Sequence, residues 1–475
     1  MAAASEPGRV ALAYPKFKRH FSEFIGVADD GHLWVDGRDC VELAETFGTP
    51  LFVLSEGQFR HNVRRFLDAF RAHYPDVEVL YANKANNALA VRHIMTQEGA
   101  GGDAFGVGEM YFALLCGTPG SSLVLNGSNK SPAEIAIAVE NGVCINLDSE
   151  DEVEMVAAAA LERGRVAEVG IRTKLELKPL ENRFGIPMHG EGSMAEQSHA
   201  CKWGMTYPQT VAMVKRIQGI ESLRLREISY HLSRMDNNAD DFAVMAREMI
   251  DWCARLHGDT GWAPPTIDIG GGWAYGRPEK TGPFGLDDEN TPSFEDFAAA
   301  VCPAIVEACE ARGLPLPGLR IEPGRAIAGT CGLALGRVGA IKAQPEYGKT
   351  WVHVDLSSNH LPRAMTTVYN HIVAADRASA PCTETVDVVG GLCIPDILGA
   401  GRALPALARG DLLASLDTGA YCECVSLNFN AECRPATVMV TGRNAEVTTE
   451  RERLTDVMGR FRVPAHLMEM SSARA

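Results

Sequence analysis

The sequence predicts an α/β fold, with a (β/α)8 barrel over residues 49–325 and a C-terminal β-rich domain over residues 326–475. Up to Arg325, short apolar runs alternate with helical patterns of about ten or more residues, which is typical of repeated βα units and a parallel sheet. The length of this region suits an eight-stranded barrel. After Arg325, short strand-like runs follow one another. We expect residues 1–48 to pack on this β-rich domain, where the strand candidate at 32–35 is a partner for its sheet.

The first predicted βα unit is a strand at 51–54 followed by a helix. Ser55 and Gln58 form a capping-box pattern, and Phe59, Phe66 and Phe70 fall on one helical face, as expected of a helix that packs on a core. Further barrel strands are predicted at 77–83, 142–147, 167–172, 223–231, 266–269 and 319–321. Strands of the β-rich domain are predicted at 333–342, 351–354, 385–389, 411–416 and 436–440.

Two segments rich in glycine, proline and polar residues, 173–204 and 275–292, are predicted to be long loops. Loops of this kind at a barrel rim carry binding functions or close over a site. A solvated connector is the alternative for the segment 275–292.

Composition limits the classes of function. The chain has 475 residues, of which 46% are hydrophobic, so it can bury a large core and is not disordered as a whole. Its net charge of −16 argues against a nucleic-acid or anionic-membrane surface. No apolar run approaches the roughly 20 residues of a membrane span, and residues 1–16 lack the features of a secretory signal. We therefore expect a soluble, cytoplasmic protein.

The 13 cysteines are scattered singly, without the dense spacing of a disulfide framework, so we expect them to be reduced. The closest pair, Cys422 and Cys424, lacks a second Cys or His pair at the spacing of a zinc site. The sequence therefore predicts no metal.

Lys84 comes directly after the predicted strand at 77–83, and barrel enzymes keep their reactive groups at the carboxyl ends of the strands. Burial and nearby cations lower the pKa of a lysine at such a position, and the neutral amine then acts as a nucleophile or Schiff-base partner. On position alone, an ordinary salt-bridged lysine is the alternative, so the interpretation depends on partners.

Three glycines, residues 270–272, follow the predicted strand at 266–269. Without side chains, their backbone N–H groups can approach an anion closely, which favours a phosphate site. A simple turn is the alternative.

Three further residues lie at or directly after the carboxyl ends of predicted strands. Glu322 and Arg325 come after the strand at 319–321 and place a carboxylate and a guanidinium at the same rim; they bind a cofactor or form a structural salt bridge. His231 stacks on an aromatic ring or caps its loop. A lysine, a glycine-rich phosphate site, an acid and an imidazole together match the needs of pyridoxal 5′-phosphate.

The sequence resembles the fold-type III pyridoxal phosphate-dependent decarboxylases, the group of diaminopimelate, ornithine and arginine decarboxylases that shares its barrel with alanine racemase. The resemblance covers residues 49–430 and is closest to the diaminopimelate decarboxylase pattern. The motifs are Tyr81-Ala82-Asn83-Lys84-Ala85-Asn86, Gly102-Asp103 with Gly108-Glu109, Asn129-Lys130-Ser131, Lys202-Trp203-Gly204-Met205, His231-Leu232-Ser233, Asp268-Ile269-Gly270-Gly271-Gly272, Glu322-Pro323-Gly324-Arg325, Gly391-Leu392-Cys393 with Asp396, and Gly419-Ala420-Tyr421.

The resemblance implies roles for individual residues. Lys84 forms the aldimine with the cofactor, Asp103 lies near it, His231 stacks on the pyridine ring and Glu322 pairs with the ring nitrogen. Decarboxylation then passes through a quinonoid intermediate. The implied phosphate ligands are Ser233, Gly271, Gly272, Arg325 and Tyr421. The resemblance also implies a homodimer with shared active sites, in which Cys393 enters the site of the partner subunit and helps return a proton to the substrate carbon.

Departures from the family pattern concern the substrate. Diaminopimelate and ornithine decarboxylases place an acid directly after the cysteine, where it meets a distal ammonium group, and Ile394 stands there in this chain. A neutral or anionic distal group is then favoured. Arg234 is a candidate cation near the substrate or a loop salt bridge, and Arg363 is a candidate carboxylate anchor. Asp396 completes the candidate substrate residues.

The sequence thus predicts a pyridoxal phosphate-dependent amino acid decarboxylase similar to diaminopimelate decarboxylase. The alternative is a decarboxylase of a non-standard, D-configured or carrier-linked amino acid. An amino acid racemase is a more distant alternative, because the segment with Cys393 and Asp396 resembles decarboxylases. A non-catalytic regulatory homologue is also more distant, because Lys84, His231, Glu322 and Cys393 are all present.

Overall fold

The structure is a computed structural model that describes residues 22, 24–183, 192–231, 238–274, 291–362, 370–442 and 444–472. At the amino end, β1 (Ile25–Val27), β2 (Leu33–Val35) and β3 (Arg38–Asp39) form a small antiparallel sheet, followed by α1 (Cys40–Phe47) and β4 (Leu51–Ser55). The strand candidate at 32–35 therefore pairs within this sheet and not with the C-terminal one. Leu33 nevertheless donates its N–H to the carbonyl of Ala375 (2.7 Å) and shares a buried cluster with Val373 and Leu412.

Eight parallel strands close into a barrel, which confirms the predicted fold class. They are β5 (Val77–Ala82), β6 (Gly101–Ala104), β7 (Leu123–Leu125), β8 (Cys144–Leu147), β9 (Ala167–Arg172), β10 (Leu223–Ser229), β11 (Thr266–Asp268) and β12 (Gly318–Ile321). β12 pairs with β5 and completes the ring. The described helices around the barrel are α2 (Glu56–Arg71), α3 (Leu89–Gln97), α4 (Val107–Leu115), α5 (Pro132–Asn141), α6 (Glu152–Glu162), α7 (Met194–Ala200), α8 (Tyr207–Ile217), α9 (Ala239–Thr260) and α10 (Phe294–Arg312).

Two expectations about this region are wrong. The strand at 51–54 exists as β4, but it pairs with strands of the C-terminal sheet, so the barrel begins at Val77. All five residues of β4 are buried, and such a run fits the centre of either sheet equally well. The segment 173–204 is also not loop throughout, because α7 lies within it. Ser193 caps that helix in a capping box with Glu196.

The remaining strands form the β-rich domain. They are β13 (Gly332–Gln344), β14 (Lys349–Val354), β15 (Ile372–Ala374), β16 (Glu384–Val389), β17 (Ile397–Leu404), β18 (Leu412–Leu416), β19 (Ala436–Thr441) and β20 (Asn444–Thr449). The sheet runs in the order β17, β16, β14, β13, β4, β19, β20, and β18 also pairs with β13. The short helix α11 (Arg325–Ala328) joins the barrel to it, and α12 (Leu454–Met458) and α13 (Ala465–Ser472) follow it.

The barrel and the β-rich domain meet beside Lys84. Asn86 donates to the carbonyl of Gly419 (3.0 Å), and the N–H of Tyr421 donates to the carbonyl of Ala85 (2.8 Å). These bonds place a segment of the second domain against the turn that carries Lys84. In the described part of the chain, no helix is both long and apolar enough to cross a membrane.

Candidate active site

The carboxyl ends of the eight barrel strands bring one polar or glycine-rich group each to a common rim. The parallel direction of the strands explains this, because all their carboxyl ends lie on one side of the barrel. From β5 to β12 the groups are Lys84, Asp103, Asn126, Asn146, Arg172, His231, the glycines 270–272 and Glu322.

Lys84 lies in a single 3-10 turn, Asn83–Ala85, directly after β5, and its Nζ pairs with the carboxylate of Asp103. Burial lowers the pKa of Lys84, but the negative charge of Asp103, with smaller contributions from Tyr421 and Glu322, outweighs it, so the pKa is raised. The expectation of a lowered pKa is therefore wrong for this arrangement. The structure brings Asp103 to Lys84 as the resemblance implied.

Asp103 is connected to Glu322 through one side-chain amide. Asn126 Nδ2 donates to Asp103 Oδ1 (2.9 Å) and to Glu322 Oε1. Asn146 Nδ2 in turn donates to Asn126 Oδ1 (2.7 Å). Four buried polar side chains from β6, β7, β8 and β12 thus form one network below the rim.

Glu322 is buried at the rim, with 5% of its surface exposed. Its Oε2 lies 4.0 Å from His231 Nδ1. Burial raises the pKa of Glu322 well above its ordinary value, and the nearby Asp103 and Asp268 carboxylates raise it further. A cationic ring nitrogen placed beside Glu322 would reverse this effect. The residue therefore suits a partner that carries a positive charge.

The glycines 270–272 position His231. The N–H of Gly271 donates to His231 Nδ1 (2.8 Å), so Nδ1 is an unprotonated acceptor. Gly270 has a φ of +67°, and a Cβ there would lie 2.6 Å from the carbonyl of Tyr230. A Cβ on Gly271 would overlap the carbonyl of Glu322. The backbone N–H of Gly271 is thus hydrogen-bonded to His231. Phosphate binding by Gly271 and by Gly272 stays a prediction.

Arg325 is the anion-binding candidate with the clearest geometry. It is 9% exposed, and its guanidinium lies 4.3 Å from the ring centroid of Tyr421. Arg325 Nη1 is buried and has no hydrogen-bond partner among the described residues. Because a buried guanidinium donor without an acceptor is costly, the position fits a phosphate or carboxylate group. This observation, together with Lys84 and Glu322, fits pyridoxal phosphate.

The loop after β16 carries Cys393, which is exposed and lies with its Sγ 3.3 Å from Asn430 Oδ1. Ile394 is 38% exposed. Asp396 is buried and accepts from the N–H groups of Ser358 (2.8 Å) and Leu392 (2.9 Å). Its carboxylate therefore shapes the cysteine loop, and a role for Asp396 in substrate binding stays a prediction.

Three predicted site residues, Ser233, Arg234 and Arg363, lie outside the described residues, and so does the segment 275–290.

Sequence reasoning missed Asn126, Asn146 and Arg172. Asn126 directly follows the apolar triplet Leu123–Leu125, which was too short to be recognised as a strand. Arg172 ends a strand that was predicted correctly, and its guanidinium lies 5.3 Å from the ring of Trp203. The signal available for all three was their place at a strand end.

Comparison with known proteins identifies the family. Residues 60–329 match the model of the pyridoxal binding domain of pyridoxal-dependent decarboxylases. The chain belongs to the pyridoxal-dependent decarboxylases. It is 32% identical to the diaminopimelate decarboxylase of Methanothermobacter thermautotrophicus over 448 residues, which cover 94% of this chain and 99% of the relative. The diaminopimelate decarboxylase of Methanocaldococcus jannaschii is 30% identical, with 92% and 97% covered.

Solved structures agree. The crystal structure of diaminopimelate decarboxylase from M. jannaschii in complex with L-lysine superposes with a TM-score of 0.84 and 29% identity, and the match covers 93% of this chain and 98% of that chain. These findings confirm the predicted fold, the enzyme class and the cofactor. The chain is a pyridoxal phosphate-dependent amino acid decarboxylase similar to diaminopimelate decarboxylases.

Proposed function

We propose that this enzyme removes the Cα carboxylate of diaminopimelate or a closely similar amino acid. The main observation that supports this proposal is that Lys84, Asp103 and Glu322 lie at one rim of the barrel. Lys84 pairs with Asp103, and Asn126 connects Asp103 to Glu322. Pyridoxal phosphate, when bound, supplies the electron sink for the pair left behind as carbon dioxide departs.

Each residue of the candidate site has a separate proposed role. Lys84 would hold the cofactor covalently through Nζ, and Asp103 keeps a proton at that nitrogen. Glu322 would pair with the ring nitrogen and His231 would pack on the ring. For the phosphate group we propose Arg325, Tyr421, Gly271, Gly272 and Ser233.

The proton that returns to the substrate carbon is assigned to Cys393. Its thiol is exposed, and Asn430, whose Oδ1 lies 3.3 Å from the Cys393 Sγ, belongs to the same domain. We propose that Cys393 enters the site of a second copy, so the catalytic unit is a homodimer. We also propose a cytoplasmic enzyme with two domains, a barrel whose strands lie between Val77 and Ile321 and a β-rich domain over 326–475, to which β4 contributes a strand.

Ile394 supports a second candidate for the substrate. An apolar, part-exposed side chain offers no counter-ion to a distal ammonium group. A substrate with a neutral or anionic distal group, such as a non-standard, D-configured or carrier-linked amino acid, is compatible with this position. Arg234 and Arg363 are the proposed cations for that group.

The test is carbon dioxide release by the cofactor-loaded enzyme from meso-diaminopimelate, L- and D-lysine, ornithine, arginine and glutamate. We expect release from diaminopimelate, and none from Lys84→Ala. Lys342→Ala, an exposed lysine on β13, is the matched control and should keep full activity. Release from glutamate alone would favour the second candidate, and full activity of Lys84→Ala would refute the role of Lys84.

Sharing of sites can be tested by mixing two inactive variants. Lys84→Ala and Cys393→Ala place their defects in different halves of a shared site, so a mixed dimer keeps one intact site. Random mixing should restore about one quarter of wild-type activity. No recovery after subunit exchange would count against the shared site.

A further inference from the structure

A single amide nitrogen lies between the two carboxylates of the candidate site. Asn126 is 4% exposed, and its Nδ2 contacts Asp103 Oδ1 (2.9 Å) and Glu322 Oε1. An amide nitrogen carries two hydrogens, so both are used here. Asn126 therefore donates one hydrogen bond to each carboxylate.

The surrounding barrel fixes this orientation of the amide. Asn146 Nδ2 donates to Asn126 Oδ1 (2.7 Å), which agrees with a nitrogen facing the two carboxylates and an oxygen facing Asn146. Lys130, which is buried with Glu152, donates to the backbone carbonyl of Asn146 (2.7 Å) and holds the end of β8. Gly170 on the neighbouring strand leaves room, because a Cβ there would overlap Asn146 Oδ1. The flipped amide would point its oxygen at two carboxylates.

We infer that Asn126 is a positioning residue that determines which oxygens of Asp103 and Glu322 can carry a proton. Asp103 Oδ1 and Glu322 Oε1 accept from Asn126, and an oxygen that takes a proton becomes a weaker acceptor, so a proton is favoured on Oδ2 or Oε2. Asp103 Oδ2 is the atom that pairs with Lys84 Nζ, and Glu322 Oε2 is the atom 4.0 Å from His231 Nδ1. Both exchangeable protons are thus kept on the side of the reacting groups. The inference rests on the proposed roles of Lys84 and Glu322.

The electrostatic surroundings give this amide a second effect. The titratable or charged groups that face the two carboxylates from the described elements are Lys84, Glu109, Arg172, His231 and Asp268. Donation to an ionised carboxylate stabilises its charged form. Asp103 keeps a lowered pKa despite its burial, with Lys84 and the Asn126 bond as opposing causes. Loss of Asn126 should therefore raise the proton affinity of both carboxylates.

A purely structural role for Asn126 can be separated with a matched control. Asn62 on α2 is similarly buried, and its Nδ2 donates to the carbonyl of Ile327 (2.7 Å) and to Thr330 Oγ1 (3.0 Å). Its oxygen accepts from Gln58 (2.7 Å). None of these partners is charged. Asn62→Ala should lower stability without changing any titration at the site.

The experiment compares wild type, Asn126→Ala, Asn126→Asp and Asn62→Ala, all with bound pyridoxal phosphate. The visible absorbance of the bound cofactor is titrated from pH 5 to pH 10 without substrate, cofactor affinity is measured by equilibrium dialysis, and stability by thermal unfolding. One charge-assisted hydrogen bond corresponds to about one pH unit and about tenfold in affinity. We expect Asn126→Ala to move the acid-side spectral midpoint up by about one pH unit and to weaken cofactor binding about tenfold.

Asn126→Asp has the shape of the wild-type residue but lacks both donors and adds a third carboxyl group, so its upward shift should be larger. If Asn126→Ala does not fold, the midpoint and the cofactor affinity of Asn126→Asp provide the test. Unchanged midpoints and affinities in the folded Asn126 variants, with a stability loss like that of Asn62→Ala, would overturn the inference. Absence of a Lys84-dependent absorbance in the wild type would instead refute the proposed function.

Discussion

Asp268 offers a stability test of the barrel interior that needs no substrate. Its side chain is fully buried, Oδ1 accepts from the N–H of Gly270 (2.8 Å), and Oδ2 has no partner among the described residues. Burial, and then the negative charge of Glu227, raise the pKa of Asp268 from its ordinary value of 3.8 to about 7. Asn in its place keeps the acceptor for Gly270 and cannot ionise.

The sign and size of the effect follow from this pKa. The folded protein holds the Asp268 proton up to about pH 7, whereas the unfolded chain releases it near 3.8, so the wild type loses stability as pH rises between these values. At about 1.4 kcal/mol per unit, the penalty is about 1.7 kcal/mol at pH 5 and about 4 kcal/mol at pH 8. The stability of Asp268→Asn relative to wild type should therefore grow by about 2.5 kcal/mol from pH 5 to pH 8.

The assay is urea unfolding followed by far-ultraviolet circular dichroism at pH 5, 6, 7 and 8. Because wild type and variant are compared at the same pH, the contributions of their shared titrating groups to the free energy of unfolding cancel. Asp387→Asn is the control of opposite sign, because Lys349 (2.8 Å) and the N–H of Gly401 (2.7 Å) outweigh the effect of burial and lower the pKa of Asp387. Its stability loss should be constant over this pH range. A difference between Asp268→Asn and wild type that does not change with pH would refute the reasoning.

Two further substitutions test packing and charge in the barrel. Gly170→Ala places a methyl group against Asn146 and 2.6 Å from Glu227 Cγ, and thermal unfolding should show a loss of about 1–3 kcal/mol. Gly258→Ala, in open space on α9, should instead stabilise by about 0.5–1 kcal/mol, and equal losses in both would contradict this packing. Arg320→Met leaves Glu227 buried without its cation and should cost about 3–5 kcal/mol in urea unfolding. Adding Glu227→Gln should return part of that loss, and no recovery would show that the pair is not the cause.

The sequence was sufficient to predict barrel strands with clear apolar runs. The run at 167–172 coincides with β9, and those at 77–83 and 223–231 differ from β5 and β10 by one and two residues at the carboxyl end. β6 was missed because Gly101–Ala104 contains no large apolar or β-branched residue. Its first glycine is required by packing, since a Cβ there would overlap the carbonyl of Ser122, and packing of this kind leaves no periodic signal.

The same limit applies to the site. Lys84, Glu322 and His231 were found because each lies at or directly after the carboxyl end of a recognisable strand. Asn126 was missed because an asparagine before Gly127 also looks like a turn residue. Its role depends on Asp103 and on contacts across the barrel, which no spacing along the chain can indicate.

The buried charges of the barrel form two layers with different functions. In the lower layer, Arg320 pairs with Glu227 (2.6 Å) and with Glu78 (2.6 Å). The upper layer is the network of Asn126 with the two carboxylates of the site. Asp268 interacts with Glu227 of the lower layer and with Glu322 of the site, and below about pH 7 it holds its proton and adds no charge between the two layers. Arg320→Met should therefore change stability without moving the spectral midpoint of the bound cofactor, whereas Asn126→Asp should move the midpoint.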